Sequence, residues 1–374
     1  MSTSPWSSGA RIGIIGGGFM GRVHSRSARA AGGTLVGIAA STPESAARAA
    51  GALGIPRGYA SAEELIADDS IDVVHICTPN TTHADLAAAV IAAGKHVICE
   101  KPLATSVADA ESLVRAAERA GVTATVPFVY RYHPMVREAR ARVARGELGT
   151  LLTVHGNYLQ DWLQSDLDDD WRVDTSLGGP SRAFADIGSH LVDLVEFVTG
   201  DPIARLGAVK RTVFTERAQN RDIATEDAVA LVVETTTGAI GTLLVSQVAP
   251  GRKNHLVVEI SGTGESVRFD QEHPDELWIG RRVGSELLPR EDAQLSEDAA
   301  RLSVLPAGHP LGYQDAFTAF VTDSYAAARG DMPAGLPTFH DGMWAAIVTD
   351  AVLRSAEVGQ WVDLVPRPVR AVAT

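Results

Sequence analysis

RIGIIGGGFMG, residues 11–21, decides the fold. Its first half is a short apolar run. Its second half places glycines at 16, 18 and 21 in the pattern G-x-G-x-x-G. Gly16 permits a tight turn, Gly18 lets the backbone approach a pyrophosphate, and Gly21 lets the next helix pack closely on the strand. Phe19 and Met20 open that helix, whose free N–H groups and partial positive charge suit phosphate. A glycine-rich turn alone is weak. Lying between a strand and a helix at the head of a strand–helix–strand series, it reads as a dinucleotide cradle.

Working outward, apolar runs recur at 35–40 (LVGIAA), 71–77 (IDVVHIC), 96–99 (HVIC) and 123–129 (TATVPFV). Alanine-rich stretches such as HADLAAAVIAAG and VADAESLVRAAERAG separate them, each closed by a glycine suited to a helix C-cap. Continuous rather than alternating apolar strands imply a sheet covered on both faces, hence a parallel, doubly wound α/β domain. Beyond residue 150 the texture changes. LLTVHGNYLQ, VKRTVF, DAVALVVETTTGAIGTLLVSQV, NHLVVEISG, ESVRF and ELWIG are extended segments joined by short turns. They predict an α+β domain with a large, mainly antiparallel sheet. Two helices close the chain, the last with Trp344, Ile347, Val348, Ala351, Val352 and Ser355 on one face. Residues 284–310 are polar and read as a long surface loop. The expected division is a disordered tail at 1–10, a dinucleotide-binding domain at 11–130 and a substrate-binding domain at 131–374.

The chain's 374 residues suit about two domains. A net charge of −13 disfavours nucleic acid and anionic membrane as partners. No window approaches the roughly 18 apolar residues of a membrane helix, and no export signal is visible, so a cytoplasmic setting is expected. The two cysteines, Cys77 and Cys99, end apolar runs and read as reduced, buried thiols. Lysine occurs only at 95, 101, 210 and 253, so each lysine draws notice.

About 20 residues past the glycines, an acidic residue would bind a ribose hydroxyl and repel a 2′-phosphate. Ser41 and Thr42 stand there instead, suited to hydroxyl or phosphate, and Arg48 lies farther on as a solvated charge. NAD is slightly favoured and NADP stays open. Glu100-Lys101-Pro102 follows HVIC at the C-terminal edge of the sheet, where ligands bind. The pair fits either a rim ion pair or a group facing the cofactor. Asp186 and His190 are four apart in a helical stretch and share a face, with Asp193 one turn on. Histidine can exchange an alcohol proton while hydride leaves the carbon; the same spacing also fits a satisfied structural pair. Tyr158, Gln160, Asp161, Trp162, Trp171 and Arg172 combine aromatic faces with polar groups, as a sugar pocket needs and as an ordinary strand end also shows. His24, His75 and His83 match no zinc spacing, so no metal is expected.

Together GGGFMG (16–21), CTPNTTHADLA (77–87), CEKPLA (99–104), Tyr130-Arg131 and ADIGSHLVDL (185–194) resemble the Gfo/Idh/MocA family of glucose–fructose oxidoreductase and inositol dehydrogenase. YLQDW with the later Trp171-Arg172 resembles its levoglucosan dehydrogenase branch. The resemblance implies homodimers or homotetramers through the second sheet. It implies that Lys101 polarises the reacting oxygen and that Asp186 and His190 complete the proton-transfer set. Thr78, Pro79, Asn80, His83 and Glu100 would lie along the cofactor, and Tyr130, Gln160, Trp162 and Arg172 would line the substrate pocket. GGPSRAF at 178–184 departs from the family's pattern, and Arg182 there is expected to add charge near the pocket. The expected activity is NAD(P)-dependent oxidation of a ring hydroxyl, or reduction of the ketone, on a pyranose sugar or inositol. Its rivals are a glycosidase or lyase that recycles NAD, and a non-catalytic nucleotide sensor.

Overall fold

The structure, a computed structural model, describes residues 9–365 and divides into two compact units. Among the described residues the first comprises 9–129 and 313–343, and the second 130–312 and 344–365. The expected cut near residue 130 differs in one respect, because 313–343 return to the first unit. Most of the expected tail lies outside the described residues; within them Ala10 is buried, an extension of the first strand's core contacts.

The first unit is a six-stranded sheet of β1 (Arg11–Ile15), β2 (Thr34–Ala39), β3 (Arg57–Gly58), β4 (Val73–Ile76), β5 (His96–Cys99) and β6 (Ala124–Thr125). Its order, β3-β2-β1-β4-β5-β6, is parallel throughout. The order reverses between β1 and β4, which makes the crevice at their C-terminal ends the natural ligand position. The runs β1 and β4 are almost wholly buried, as their uninterrupted apolar character predicts. Helices α1 (Phe19–Ala30), α2 (Pro43–Leu53), α3 (Ala62–Ile66), α4 (His83–Ala92) and α5 (Val107–Ala120) connect them. Glycines 54 and 121 end α2 and α5 in the left-handed conformation. The run 123–129 keeps only two strand residues, because its backbone bends away after Thr125 toward the return segment.

The second unit begins with α6 (Pro134–Ala144) and β7 (Leu151–Leu159), followed by α7 (Thr175–Gly178) and α8 (Ser189–Thr199). Then come β8 (Ile203–Arg211), β9 (Ala228–Thr235), β10 (Ile240–Ser246), β11 (His255–Gly262), β12 (Ser266–Asp270), β13 (Glu276–Arg281) and β14 (Gly284–Pro289). After α9 (Glu297–Ala300) come α10 (Tyr313–Ala328), which belongs to the first unit, and α11 (Phe339–Val358), most of which lies in the second; β15 (Val362–Asp363) completes the second unit's nine-stranded sheet. The order is β14-β13-β12-β11-β7-β10-β9-β8-β15, antiparallel except for the β7–β10 pair. Gly156 lets α8 lie close on β7, since a Cβ there would come 2.9 Å from Leu191 Cδ1. The expected loop at 284–310 is corrected: it opens as edge strand β14 and continues through α9. Its polarity misled because one face of an edge strand meets water; Leu288 is buried while Leu287 is exposed. Among the described residues no helix is long and apolar enough to cross a membrane.

Candidate functional site

In the first unit the cradle is built of backbone. Gly16 has φ +111°, and a Cβ there would sit 2.4 Å from the carbonyl oxygen of Cys77. A Cβ on Gly21 would sit 2.1 Å from Gly16 O. Gly18 differs, for a Cβ there would meet nothing within 4 Å. Gly16 and Gly21 are therefore small so that the protein closes on itself, and Gly18 borders open space. Gly18 caps α1 without a side-chain hydrogen bond, and Phe19 is exposed beside a partly exposed Met20. This arrangement fits a dinucleotide pyrophosphate.

At the end of β2, Ser41 is exposed, whereas the Thr42 hydroxyl accepts the Ser45 N–H at 3.2 Å and caps α2. Of that pair, Thr42 is committed to the helix cap, and Ser41 Oγ stands 3.4 Å from Ser45 Oγ. After β4, Thr78 and Pro79 lead into a short 3-10 turn at Asn80–Thr82, where the Thr82 hydroxyl lies 2.7 Å from both Thr78 Oγ1 and Pro79 O. His83 is buried, with Nδ1 2.7 Å from Pro102 O and Nε2 2.9 Å from Thr78 O. It ties the turn after β4 to the turn after β5. Burial lowers its pKa against the pull of those two carbonyls. Glu100 is buried too: Oε1 lies 2.9 Å from His24 Nε2, and Oε2 accepts the Lys101 N–H at 3.2 Å. Burial pushes the Glu100 carboxyl up, but His24 and the Lys101 charge outweigh it and hold it below the usual range. Lys101 is partly exposed. Lys95, equally rare in the sequence, is spent on the carbonyls of Asp68 and Ile71. Cys99 is buried, and burial raises both thiols well above their ordinary pKa.

In the second unit, Asp186 lies in a π-helical turn, Phe184–Gly188, that runs directly into α8 carrying His190. The expected regular helix is thus wider at its start, a feature common at functional sites. Gly188 accommodates the widened turn, since a Cβ would come 2.4 Å from the Phe184 ring. Asp186 Oδ2 accepts from Gln247 Nε2 at 2.8 Å, and Arg172 Nε stands 3.9 Å from Oδ1. The Tyr130 ring meets the His190 ring edge-on, centroids 5.1 Å apart. Tyr130, Tyr158 and Asn254 close a hydrogen-bonded ring. Tyr158 O–H donates to Asn254 Oδ1 at 2.7 Å, Asn254 Nδ2 donates to Tyr130 Oη at 3.1 Å, and the two phenols lie 2.5 Å apart. Gln160 Nε2 also donates to Asn254 Oδ1, at 2.9 Å, and Trp162 Nε1 donates to Gln160 Oε1 at 2.8 Å. Burial raises the Tyr130 pKa, and the charge of Asp186 adds to it. The structure therefore gathers Tyr130, Gln160 and Trp162 in one network, and Arg172, Asp186 and Gln247 in another.

Two expectations are corrected. Asp193 does not extend the Asp186–His190 set, because both its oxygens engage the buried guanidinium of Arg131. Arg182 adds no charge to a pocket: it is buried and paired with Asp227, which Arg217 also reaches at 2.8 Å. Next to them Glu226 Oε1 accepts from Ser181 Oγ and from the N–H groups of Arg182 and Phe184 at 2.7–3.0 Å, capping the turn that carries Asp186. Gln247, Asn254 and Glu226 were not singled out from the sequence. Asn254 precedes a strand and Gln247 follows one, and neither position carries a motif.

Residues 10–128 match the family model described as oxidoreductase family, NAD-binding Rossmann fold, and residues 136–268 match that of the GFO/IDH/MocA C-terminal domain. Levoglucosan dehydrogenase of Pseudarthrobacter phenanthrenivorans is 31% identical over 94% of this chain and 97% of its own length. A D-xylose 1-dehydrogenase (NADP(+)) of Haloferax volcanii is 34% identical over 61% of this chain and 66% of its own. Among solved structures, an inositol dehydrogenase homologue of Azotobacter vinelandii, complexed with NADH and myo-inositol, aligns with TM-score 0.86 and 26% identity. That alignment covers 96% of this chain and 98% of the other.

Proposed function

The chain belongs to the Gfo/Idh/MocA oxidoreductase family, and from that premise we propose that it oxidises a ring hydroxyl of a pyranose sugar, sugar derivative or inositol, or reduces the corresponding ketone. It is an NAD(P)-dependent oxidoreductase acting on CH–OH groups. The observation that carries the proposal is the Asp186 turn, where a carboxylate held by Gln247 shares a helical segment with His190 and its Tyr130 neighbour. Gly16, Gly18, Phe19, Met20, Gly21, Ser41, Thr78, Pro79, Asn80 and the Lys101 side chain would hold the dinucleotide. A bound nicotinamide would supply the hydride acceptor for oxidation and the donor for reduction. His190 takes the hydroxyl proton, and Asp186 hydrogen-bonds the substrate or orients the imidazole. The Lys101 ammonium stabilises negative charge developing on the reacting oxygen. Tyr130, Gln160, Trp162 and Arg172 present aromatic faces and polar groups to the ring.

NAD is the favoured cofactor: the turn after β2 carries Ser41 and no arginine to meet a 2′-phosphate, and NADH accompanies the inositol dehydrogenase homologue. A homodimer or homotetramer would form through the second unit's sheet, where Val209, Val232, Ile240, Leu244 and Trp361 leave apolar surface exposed.

Absorbance of the reduced nicotinamide tests the reading directly, with a panel of pyranoses and inositols and either cofactor. One pair should give a rising signal, and Lys101→Ala and His190→Ala should each lower kcat by about 10²–10⁴-fold. Near-normal turnover in both variants would refute the roles. Silence across the panel with dinucleotide bound would favour the NAD-recycling glycosidase.

A further inference from the structure

Four buried polar side chains from four segments of the first unit form a single file. Tyr325 Oη on α10 lies 3.0 Å from His75 Nε2 on β4. His75 Nδ1 lies 2.9 Å from His24 Nδ1 on α1, and His24 Nε2 lies 2.9 Å from Glu100 Oε1 after β5. His24 and His75 are fully buried, Tyr325 is 1% exposed, and the Phe317 ring closes over His24 at 4.7 Å. One order of donors satisfies every atom. Tyr325 O–H donates to His75 Nε2, His75 Nδ1–H to His24 Nδ1, and His24 Nε2–H to Glu100, an acceptor-only carboxylate. Burial keeps the His75 pKa well below its ordinary value, consistent with a neutral ring in that order.

The file has no outlet to water at Tyr325, so it is not a proton path. It ends where the chemistry begins, because Glu100 Oε2 takes the N–H of Lys101. On the other side of Lys101, His83 reaches Pro102 O. The main chain bearing Lys101 is thus gripped by a buried carboxylate on one side and a buried imidazole on the other. A carboxylate taken out of water is expensive, and apolar residues of similar volume would fill the same space at lower cost.

We propose that Tyr325, His75 and His24 are positioning residues for the oxidoreductase reaction, holding the Glu100 carboxylate so that it fixes the backbone of Lys101. This rests on the function proposed above for Lys101. The Lys101 ammonium must meet the reacting oxygen within a fraction of an ångström, and a misplacement of about 1 Å can cost 10²-fold in rate.

The test compares His24→Leu, which removes both ring contacts, with His24→Gln, which retains a donor toward Glu100. With the substrate found by the panel, His24→Leu should lower kcat by about ten- to a hundredfold, with the Kd for NADH changed less than about twofold, and His24→Gln should recover most of the loss. Unchanged kcat in a folded His24→Leu would overturn the proposal, as would kcat and NADH affinity falling together with thermal stability. Should His24→Leu not fold, Tyr325→Phe deletes one oxygen at the far end; lower kcat at constant NADH affinity supports the file, and unchanged kcat overturns it. Imidazole 15N shifts of the unmodified protein separate the two readings. Protons on His24 Nε2 and His75 Nδ1 support the ordered file even if no sugar is turned over, which would sink the functional reading alone. The opposite tautomers overturn the file whatever the activity.

Discussion

The candidate cradle of the first unit is shaped by backbone, and the candidate site of the second by side chains. Gly16, Gly18 and Gly21 matter for the atoms they lack, and all three lie within six residues. Asp186 depends on Gln247 and Arg172, while Glu226, forty residues on in sequence, caps its turn. The backbone site is a local steric demand that few sequences meet by accident. The side-chain site is assembled from distant segments and is supported by a buried charge cluster underneath. Each design fails differently, and that difference can be measured.

The largest expected effect is on the buried cluster of the second unit. Asp227 accepts from Arg182, Arg217 and the N–H groups of Val213 and Phe214. Asp227→Asn would leave two buried guanidinium groups without their carboxylate, and should destabilise the protein by about 3–5 kcal/mol. Burial pushes the Asp227 pKa up, but Arg182 and the Val213 and Phe214 N–H donors outweigh it and hold it below the ordinary 3.8. A depressed carboxylate contributes stability above its unfolded pKa and loses that contribution as pH falls through the lower folded value. Urea midpoints should therefore drop below about pH 4 in the unmodified protein, and this component of the drop should vanish in Asp227→Asn. An unchanged midpoint in the variant at neutral pH would show that the cluster does not support the second site.

How much was legible in the sequence follows the same division. The glycine motif, the runs that became β1, β2, β4 and β5, and the helical character of the stretch carrying Asp186 and His190 could be read because each is local. The parallel order with its reversal between β1 and β4 then followed from the alternation of strands and helices. Arg182 was misread because its partner lies 45 residues away, and Asp193 because Arg131 lies 62 residues before it. Asn254 acquires its meaning only from β-sheet register, which sets Leu256 against Tyr158. The return of 313–343 was hidden for the same reason: Gln314 meets Ser27 Oγ at 2.7 Å across 287 residues. Rarity marked Lys101 and Lys95 equally; the Glu100-Lys101-Pro102 motif singled out Lys101, and the structure ties Lys95 to the carbonyls of Asp68 and Ile71.

A medium effect distinguishes two glycines of the cradle. Gly16→Ala forces a side chain into φ +111° and against Cys77 O, and should cost about 1–3 kcal/mol of stability. Gly18 has φ −75°, and a Cβ there meets nothing, so Gly18→Ala should keep its stability within about 0.5 kcal/mol. It should nevertheless weaken NADH binding about tenfold, because the methyl group occupies the approach to the pyrophosphate. Calorimetric unfolding with fluorescence titration of NADH reads both. If Gly18→Ala bound NADH normally, the open space beside it would not be the phosphate site.

The smallest effect tests whether the second site can be perturbed without touching the first. Gln247→Leu keeps a side chain of similar length and removes the donor to Asp186 Oδ2. Losing that 2.8 Å donor loosens the orientation of the carboxylate. Turnover should fall about tenfold, the equivalent of roughly 1.4 kcal/mol in the transition state. The Kd for NADH should stay put, because none of the proposed dinucleotide contacts involves Gln247. A fall in NADH affinity matching the fall in kcat would mean that the two sites are not separable, and that backbone and side-chain designs share one support.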